Sequence, residues 1–276
     1  MENKIIFLDI DGTLTEPGSN VPPDSALKAV RQAREKGHKV FLCSGRNYAM
    51  LAPLLKYGFD GVIASSGGYI LCGNQVIYDC PMTEGQRQMV LKVLKENQVY
   101  CTIECLEGTY TDEAFKEFLK ANGEHKGNSE LLRWREQLEG TLNILPMSSY
   151  EGQPVYKVVI MCQSKKQLKE PEQVLGKEFF LSIQDADSYG IVNGEIVNKK
   201  FHKGKGVERV CHHLGMGLED TIAFGDSVND MEMLQAVSVG ICMENGSESL
   251  KRIADRLCPP VGQDGLYCGF KELGLL

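Results

Sequence analysis

No stretch of these 276 residues approaches the roughly 20 consecutive apolar residues that a membrane-spanning helix needs. That excludes the helical membrane proteins. The first apolar run, in MENKIIFLD, meets a charge too early to form the core of a secretory leader, so the expectation is a cytoplasmic protein. No block of lysine and arginine offsets the net charge of −7, which argues against nucleic acid or an anionic membrane as the main partner. A small anionic ligand stays compatible wherever cations are local. CxxC spacing is absent too. Several of the ten cysteines, Cys43 in VFLCSG and Cys162 in VVIMC among them, sit inside apolar runs and read as reduced core residues. Cys101 and Cys105 come nearest to a metal pattern, but they lie in a strand-like stretch with no second pair at zinc spacing. Internal repeats and low-complexity segments are missing as well.

What is present is a balanced globular composition, 42% apolar and 24% charged, on a chain longer than the common single domain. One large domain and one smaller domain are expected. Short apolar runs alternate with helix-period segments: IIFL, a helix up to Gly37, VFLC, a helix up to Gly58, then VIA. This is the βαβαβ signature of a doubly wound parallel sheet. The pattern returns with a helix near Lys205–Leu214, then TIAF, a short helix from about Asn229, and VGIC. Between these halves YILCGNQVIYD alternates around a Gly-Asn turn and reads as a hairpin, and Thr83 with Gln86 forms a capping box ahead of Met89, Val90, Val93 and Leu94. Residues 83–187 lose the strict alternation and read as an inserted α+β domain, leaving 1–82 and 188–276 as an α/β Rossmann-like core.

The chemistry concentrates at strand ends. FLDIDGTLTEPG puts Asp9 and Asp11 one residue apart where the first strand stops, and Gly12 then lets the chain turn away. Two carboxylates that close repel unless a cation lies between them or one holds a proton, so the pair suggests a metal or acid–base work. The second strand ends in CSGR, where Ser44 and the Gly45 amide stand at a helix start suited to phosphate. After TIAF comes GDSVND, with Asp226 and Asp230 four apart and Asn229 beside them, and HKGKG supplies Lys203 at another helix start. Each motif alone has a bland reading: a solvated Asp-Gly turn, a helix cap, a surface lysine. In open parallel sheets, however, ligands bind beyond the carboxyl ends of the strands, and each of the four falls at a predicted strand end or helix start.

Taken together, DIDGT, SGR, Lys203 and GDSVND resemble the four motifs of the haloacid dehalogenase superfamily. The hairpin GGYILCGNQVIYDCPM, the place of the insertion and the closing QDGLYCGFKELGLL resemble its Cof-type branch with a type IIB cap. The resemblance implies a phosphatase of small phosphorylated metabolites, sugar phosphates or related monoesters. Asp9 would attack phosphorus and form an aspartyl-phosphate, and Asp11 would protonate the leaving alcohol and then activate water. Mg²⁺ would be held by Asp9, the Asp11 carbonyl and Asp226, with Asp230 touching the metal through water or orienting Asn229. Ser44, Gly45, Lys203, Asn229 and the Ile10 amide would hold phosphate oxygens, while Arg46 would reach the leaving group or brace the cap. A phosphomutase would share Asp9 and Asp11, and a phospho-accepting receiver shares the strand-end aspartates and lysine but leaves the insertion unexplained. Polar cap candidates for reading the substrate are Glu104, Thr109, Tyr110, Asp185 and Ser188. His202 reads as a chance neighbour of Lys203. Helical phase puts Lys203 on the buried stripe of Val207, Cys211 and Leu214, with Lys205 about 200° away, facing solvent.

Overall fold

A computed structural model describes residues 3–115, 117, 144–183 and 192–276. Along the chain these form β1 (Ile5–Leu8), α1 (Asp24–Glu35), β2 (Lys39–Cys43), α2 (Tyr48–Leu55), β3 (Gly61–Ala64), β4 (Tyr69–Cys72), β5 (Gln75–Asp79) and α3 (Glu84–Glu96). There follow β6 (Tyr100–Cys105), β7 (Thr109–Thr111), β8 (Ile144–Pro146), β9 (Val155–Cys162), α4 (Lys169–Leu175), β10 (Phe179–Ile183) and β11 (Val192–Asn198). The last part holds α5 (Lys203–Leu214), β12 (Thr221–Gly225), α6 (Met231–Ala236), β13 (Val239–Met243), α7 (Glu248–Lys251), β14 (Arg256–Cys258) and α8 (Gly265–Glu272). The chain divides into two compact units: Met1–Arg46, Leu51–Asp79 and Phe201–Leu276 form one, and Asn47–Met50 with Cys80–Lys200 the other.

The first unit is built on an eight-stranded sheet in the order β14-β13-β12-β1-β2-β3-β4-β5, parallel except where the β4–β5 hairpin joins β3 antiparallel. Strands buried on both faces need near-continuous apolar runs, and IIFL, VFLC and TIAF supply them. On one face Ile5, Phe7, Phe41, Cys43 and Ile63 pack with Val207, Val210 and Cys211 of α5 and with Met233 and Leu234 of α6. The alternate residues Ile6, Leu8 and Leu42 are equally buried. Phe224 meets Phe270 of α8 with ring centroids 5.3 Å apart. From β1 the strand order runs through β2 and β3 to one side and through β12, β13 and β14 to the other, so the topological switch lies between β1 and β12. Such a switch opens a crevice at the carboxyl ends of the strands.

The second unit carries a six-stranded sheet, β10-β11-β9-β6-β7-β8, with its own apolar core. Val90, Val93 and Leu94 of α3 pack against Ile103, Val158, Ile160 and Phe179. One expectation needs correction: β11, assigned from sequence to the core within 188–276, pairs antiparallel with β9 and β10 and belongs to this second sheet. Its alternating VNGEIVN defines a strand, but alternation alone does not say which sheet completes it. Residues 80–82 and 47–50 likewise cluster with the second unit rather than the core. The expected junction at 187/188 lies outside the described residues, as do Asp185 and Ser188. All ten cysteines are free, and seven are buried, as their apolar settings imply.

The capping box ahead of α3 is present: the Thr83 hydroxyl accepts from the Gln86 N–H at 3.2 Å, and the Gln86 side chain accepts from the Thr83 N–H at 3.0 Å. Replacing Thr83 by Ala removes a satisfied N-terminal acceptor and is expected to lower stability by about 1 kcal/mol, read as a shift in the urea midpoint at constant slope.

Candidate active site

The β1–β12 register brings the site together. Leu8 lies beside Phe224, and the Asp9 N–H donates to the Phe224 carbonyl at 3.0 Å, so Asp9 leaves β1 level with the loop that carries Asp226. Asp9 is buried, and its Oδ1 accepts from Lys203 Nζ at 2.7 Å. Lys203 is 1% exposed and donates also to Asp230 Oδ1 at 2.6 Å and Asn229 Oδ1 at 3.2 Å. The helical phase holds for Lys203, which opens α5 and is buried with Val207 and Cys211, whereas Lys205, expected to face solvent, is half-buried. His202 has a definite place after all, since its Nδ1 accepts from the Lys205 N–H at 3.3 Å and caps the helix.

Asp230 is wholly buried and divides its carboxylate between two tasks. While Oδ1 takes the ammonium, Oδ2 accepts from the backbone N–H groups of Asp226 and Ser227, both at 3.1 Å. This fixes the GDSVND loop and leaves Asp226 Oδ1 buried with no hydrogen-bond donor. Gly12 makes the close approach feasible: it holds φ at +84°, and a Cβ there would lie 2.4 Å from Asp226 Oδ2.

Three carboxylates face one ammonium in this pocket, and the titration directions follow. Burial, then the charge of Asp230, raises Asp9 well above the ordinary carboxylate range against the opposing pull of Lys203. Burial and Asp230 likewise push Asp226 up to about 7. Burial alone would lower Lys203, but Asp230 and Asp9 outweigh it and hold the ammonium charged. One oxygen each from Asp9, Asp226 and Asp230 lie within 4.8 Å of one another. An all-oxygen set with an orphaned carboxylate oxygen and surplus negative charge fits a hard divalent cation such as Mg²⁺.

Asp11 takes Arg46, not Lys203, as its cationic partner. Arg46 grips the Asp11 carboxylate through both arms of its fork, Nη2 to Oδ1 at 2.7 Å and Nε to Oδ2 at 2.9 Å. Its Nη1 donates to Asn20 Oδ1 at 2.6 Å, and the Gly18 N–H also donates to Asp11 Oδ1, at 3.0 Å. Arg46, expected to reach the leaving group or brace the cap, is paired here with Asp11. The signal was not in the SGR motif, since Gly18 and Asn20 belong to a loop without motif character. Ser44 is buried, and its Oγ accepts from the Arg46 N–H at 3.2 Å, leaving the hydroxyl hydrogen to donate elsewhere. Gly45 and Ile10 lie where their motifs put them, in the turns that follow β2 and β1.

The sequence pattern of the haloacid dehalogenase-like hydrolases matches residues 6–269. The chain belongs to that family. YkrA of Bacillus subtilis (strain 168) is 30% identical over 280 residues, spanning 100% of both chains. The HMP-PP phosphatase of Yersinia pestis (strain Pestoides F) is 26% identical over 254 residues, 90% of this chain and 86% of its own. Among solved structures, the HAD subclass IIB sugar phosphatase BT4131 matches with a TM-score of 0.76 at 23% identity, covering 99% of this chain and 100% of its own, a likeness of fold. These matches agree with the Cof-type resemblance. Of the polar cap residues expected to read a substrate, Tyr110 packs in the apolar core of the second unit, while Thr109 Oγ1 accepts from Asn47 Nδ2 at 3.0 Å. Glu104 lies 3.4 Å from the Lys157 ammonium. For a haloacid dehalogenase-like hydrolase with this acidic pocket, Mg²⁺ at about 100 times its dissociation constant is expected to add about 2.7 kcal/mol, seen as a rise in melting temperature. Asp226→Asn should abolish most of that rise, and an equal rise in the variant would remove Asp226 from the ligand set.

Proposed function

We propose that the chain is a Mg²⁺-dependent phosphatase that hydrolyses small phosphomonoesters through an aspartyl-phosphate on Asp9. The observation that carries this reading is the placement of the Asp9 carboxylate at the switch point, held by a buried ammonium and flanked by Asp226 and Asp230. In the first step an Asp9 oxygen bonds to phosphorus as the ester oxygen leaves, and Asp11, which must part from Arg46 to carry a proton, gives that oxygen the proton. In the second step water bonds to the same phosphorus, Asp11 takes its proton, and the bond to Asp9 breaks to release inorganic phosphate. Bound Mg²⁺ would supply charge neutralisation for phosphate oxygens that otherwise repel Asp9. Asp9 and Asp226 would hold it with the Asp11 carbonyl, and Asp230, committed to Lys203 and two backbone N–H groups, keeps those ligands in place.

Lys203, Asn229, the Ser44 hydroxyl and the Ile10 and Gly45 amides are assigned to the nontransferring oxygens. The second unit is assigned the choice among substrates. Relatives named for HMP-PP and for pyridoxal phosphate support a phosphorylated metabolite as the substrate class. Ten free cysteines suit the reducing cytoplasm as the place of action.

Asp9→Asn should abolish turnover in a folded protein, because an amide neither attacks phosphorus nor holds the metal well. Asp11→Asn should slow alkyl phosphates by about 10² to 10⁴ but p-nitrophenyl phosphate far less, since p-nitrophenolate leaves with little need of a proton. Equal losses on both esters would deny Asp11 the acid role. Lys203→Ala is expected to lose about 10² to 10³ in kcat/KM as a preorganised cation facing developing charge. Lys205→Ala should stay within about threefold, and the reverse ranking would move the phosphate contact to Lys205.

A further inference from the structure

The turn after β3 belongs to none of the four motifs, yet its backbone departs from the ordinary regions at successive residues. Three successive residues hold positive φ: Ser65 at 49°, Ser66 at 57° and Gly67 at 102°. A serine takes this region seldom, and two in a row persist only where the surroundings impose them. Ser65 is wholly buried and its hydroxyl finds no hydrogen-bond partner, a second cost borne by the same residue.

What imposes the turn is its double engagement. On one side the Ser65 N–H donates to the Arg46 carbonyl at 2.8 Å and the Ser66 N–H to the Ser44 carbonyl at 3.0 Å. A trans peptide points its carbonyl and its N–H in opposite directions, so holding the Ser44 carbonyl toward the turn aims the Gly45 N–H away from it. On the other side Gly67 lies against the backbone of His202, where a Cβ would come 2.6 Å from the carbonyl oxygen, and a Cβ at Gly68 would come 2.8 Å from the Phe201 ring. His202 caps α5, and Lys203 is the next residue. One turn therefore braces both the Ser44–Arg46 loop and the start of the lysine helix.

We infer that Ser65–Gly67 is a positioning element that sets the Gly45 amide and the Lys203 ammonium at a common distance from the transferring phosphoryl group. This rests on the phosphatase reading above. The positive φ values are what let consecutive N–H groups face the Ser44–Arg46 loop while the following residue, without a side chain, abuts His202.

The test uses the full chain with Mg²⁺, p-nitrophenyl phosphate as substrate and orthovanadate as a probe of the phosphoryl pocket. Ser66→Thr, whose branched Cβ resists positive φ, and Gly67→Ala, which pushes on His202, are each expected to lower kcat/KM by about 10²-fold, the scale of an ångström-sized misplacement. Both should also weaken vanadate inhibition about tenfold, since the same donors meet the probe. Ser66→Asn, a residue more tolerant of this region, should restore both values to within about threefold of the wild type. A folded Thr or Ala variant that loses only melting temperature, or loses kcat/KM with unchanged vanadate inhibition, overturns the inference. If one of them fails to fold, the other decides. Failure of the phosphatase reading is distinct, because the wild type itself would then neither turn over nor bind vanadate.

Discussion

The site depends on one buried ammonium. Lys203 Nζ lies 2.7 Å from Asp9 and 2.6 Å from Asp230 in a pocket where its own side chain is 1% exposed. Without it two carboxylates would share a low-dielectric space with no counter-charge, and removing one partner of such a buried set costs on the order of 3–5 kcal/mol. The ammonium also acts at a distance. By holding one oxygen of Asp230 it frees the other for the N–H groups of Asp226 and Ser227, and that shapes the loop that presents Asp226. The arrangement still leaves more carboxylate than cation, which is why it suits a divalent ion and then a phosphate dianion.

That ammonium could not reach Asp9 without the sheet. The β1–β12 pairing brings residues 9 and 226 side by side from distant parts of the sequence, and α5, laid on the face of Phe7 and Phe41, starts at the same crevice. Gly12 and the Ser65–Gly67 turn are local departures from ordinary backbone that admit these approaches. The Asp11–Arg46 fork is a separate device: it gives the second aspartate a cationic partner of its own, so two like residues one apart in sequence meet different surroundings.

Much of this was legible in sequence, for physical reasons. Short continuous apolar runs such as IIFL and TIAF, alternating with helix-period segments, read as strands buried on both faces, and strand ends bearing DxD and GDSVND mark the crevice. The inward phase of Lys203 followed from the stripe of Val207 and Cys211. What stayed hidden depended on tertiary partners. VNGEIVN alternates as any edge or inner strand does, so only pairing with β9 and β10 shows its sheet. Arg46 next to a phosphate-type motif gave no hint of the loop at Gly18 and Asn20 that turns it to Asp11. His202 looked incidental because a cap is defined by backbone geometry, and the positive φ at Ser65 and Ser66 has no sequence signature because serine, unlike glycine or asparagine, does not mark that region.

The central claim, that Asp9 becomes covalently phosphorylated, is tested most directly by acid quenching during turnover of a ³²P-labelled phosphomonoester with Mg²⁺, then borohydride reduction and peptide mapping. The account predicts label in the acid-stable protein fraction, and reduction of Asp9 to homoserine within the tryptic peptide of residues 5–28. Phosphate release at full rate with no labelled protein, or with the label on any residue but Asp9, would contradict it.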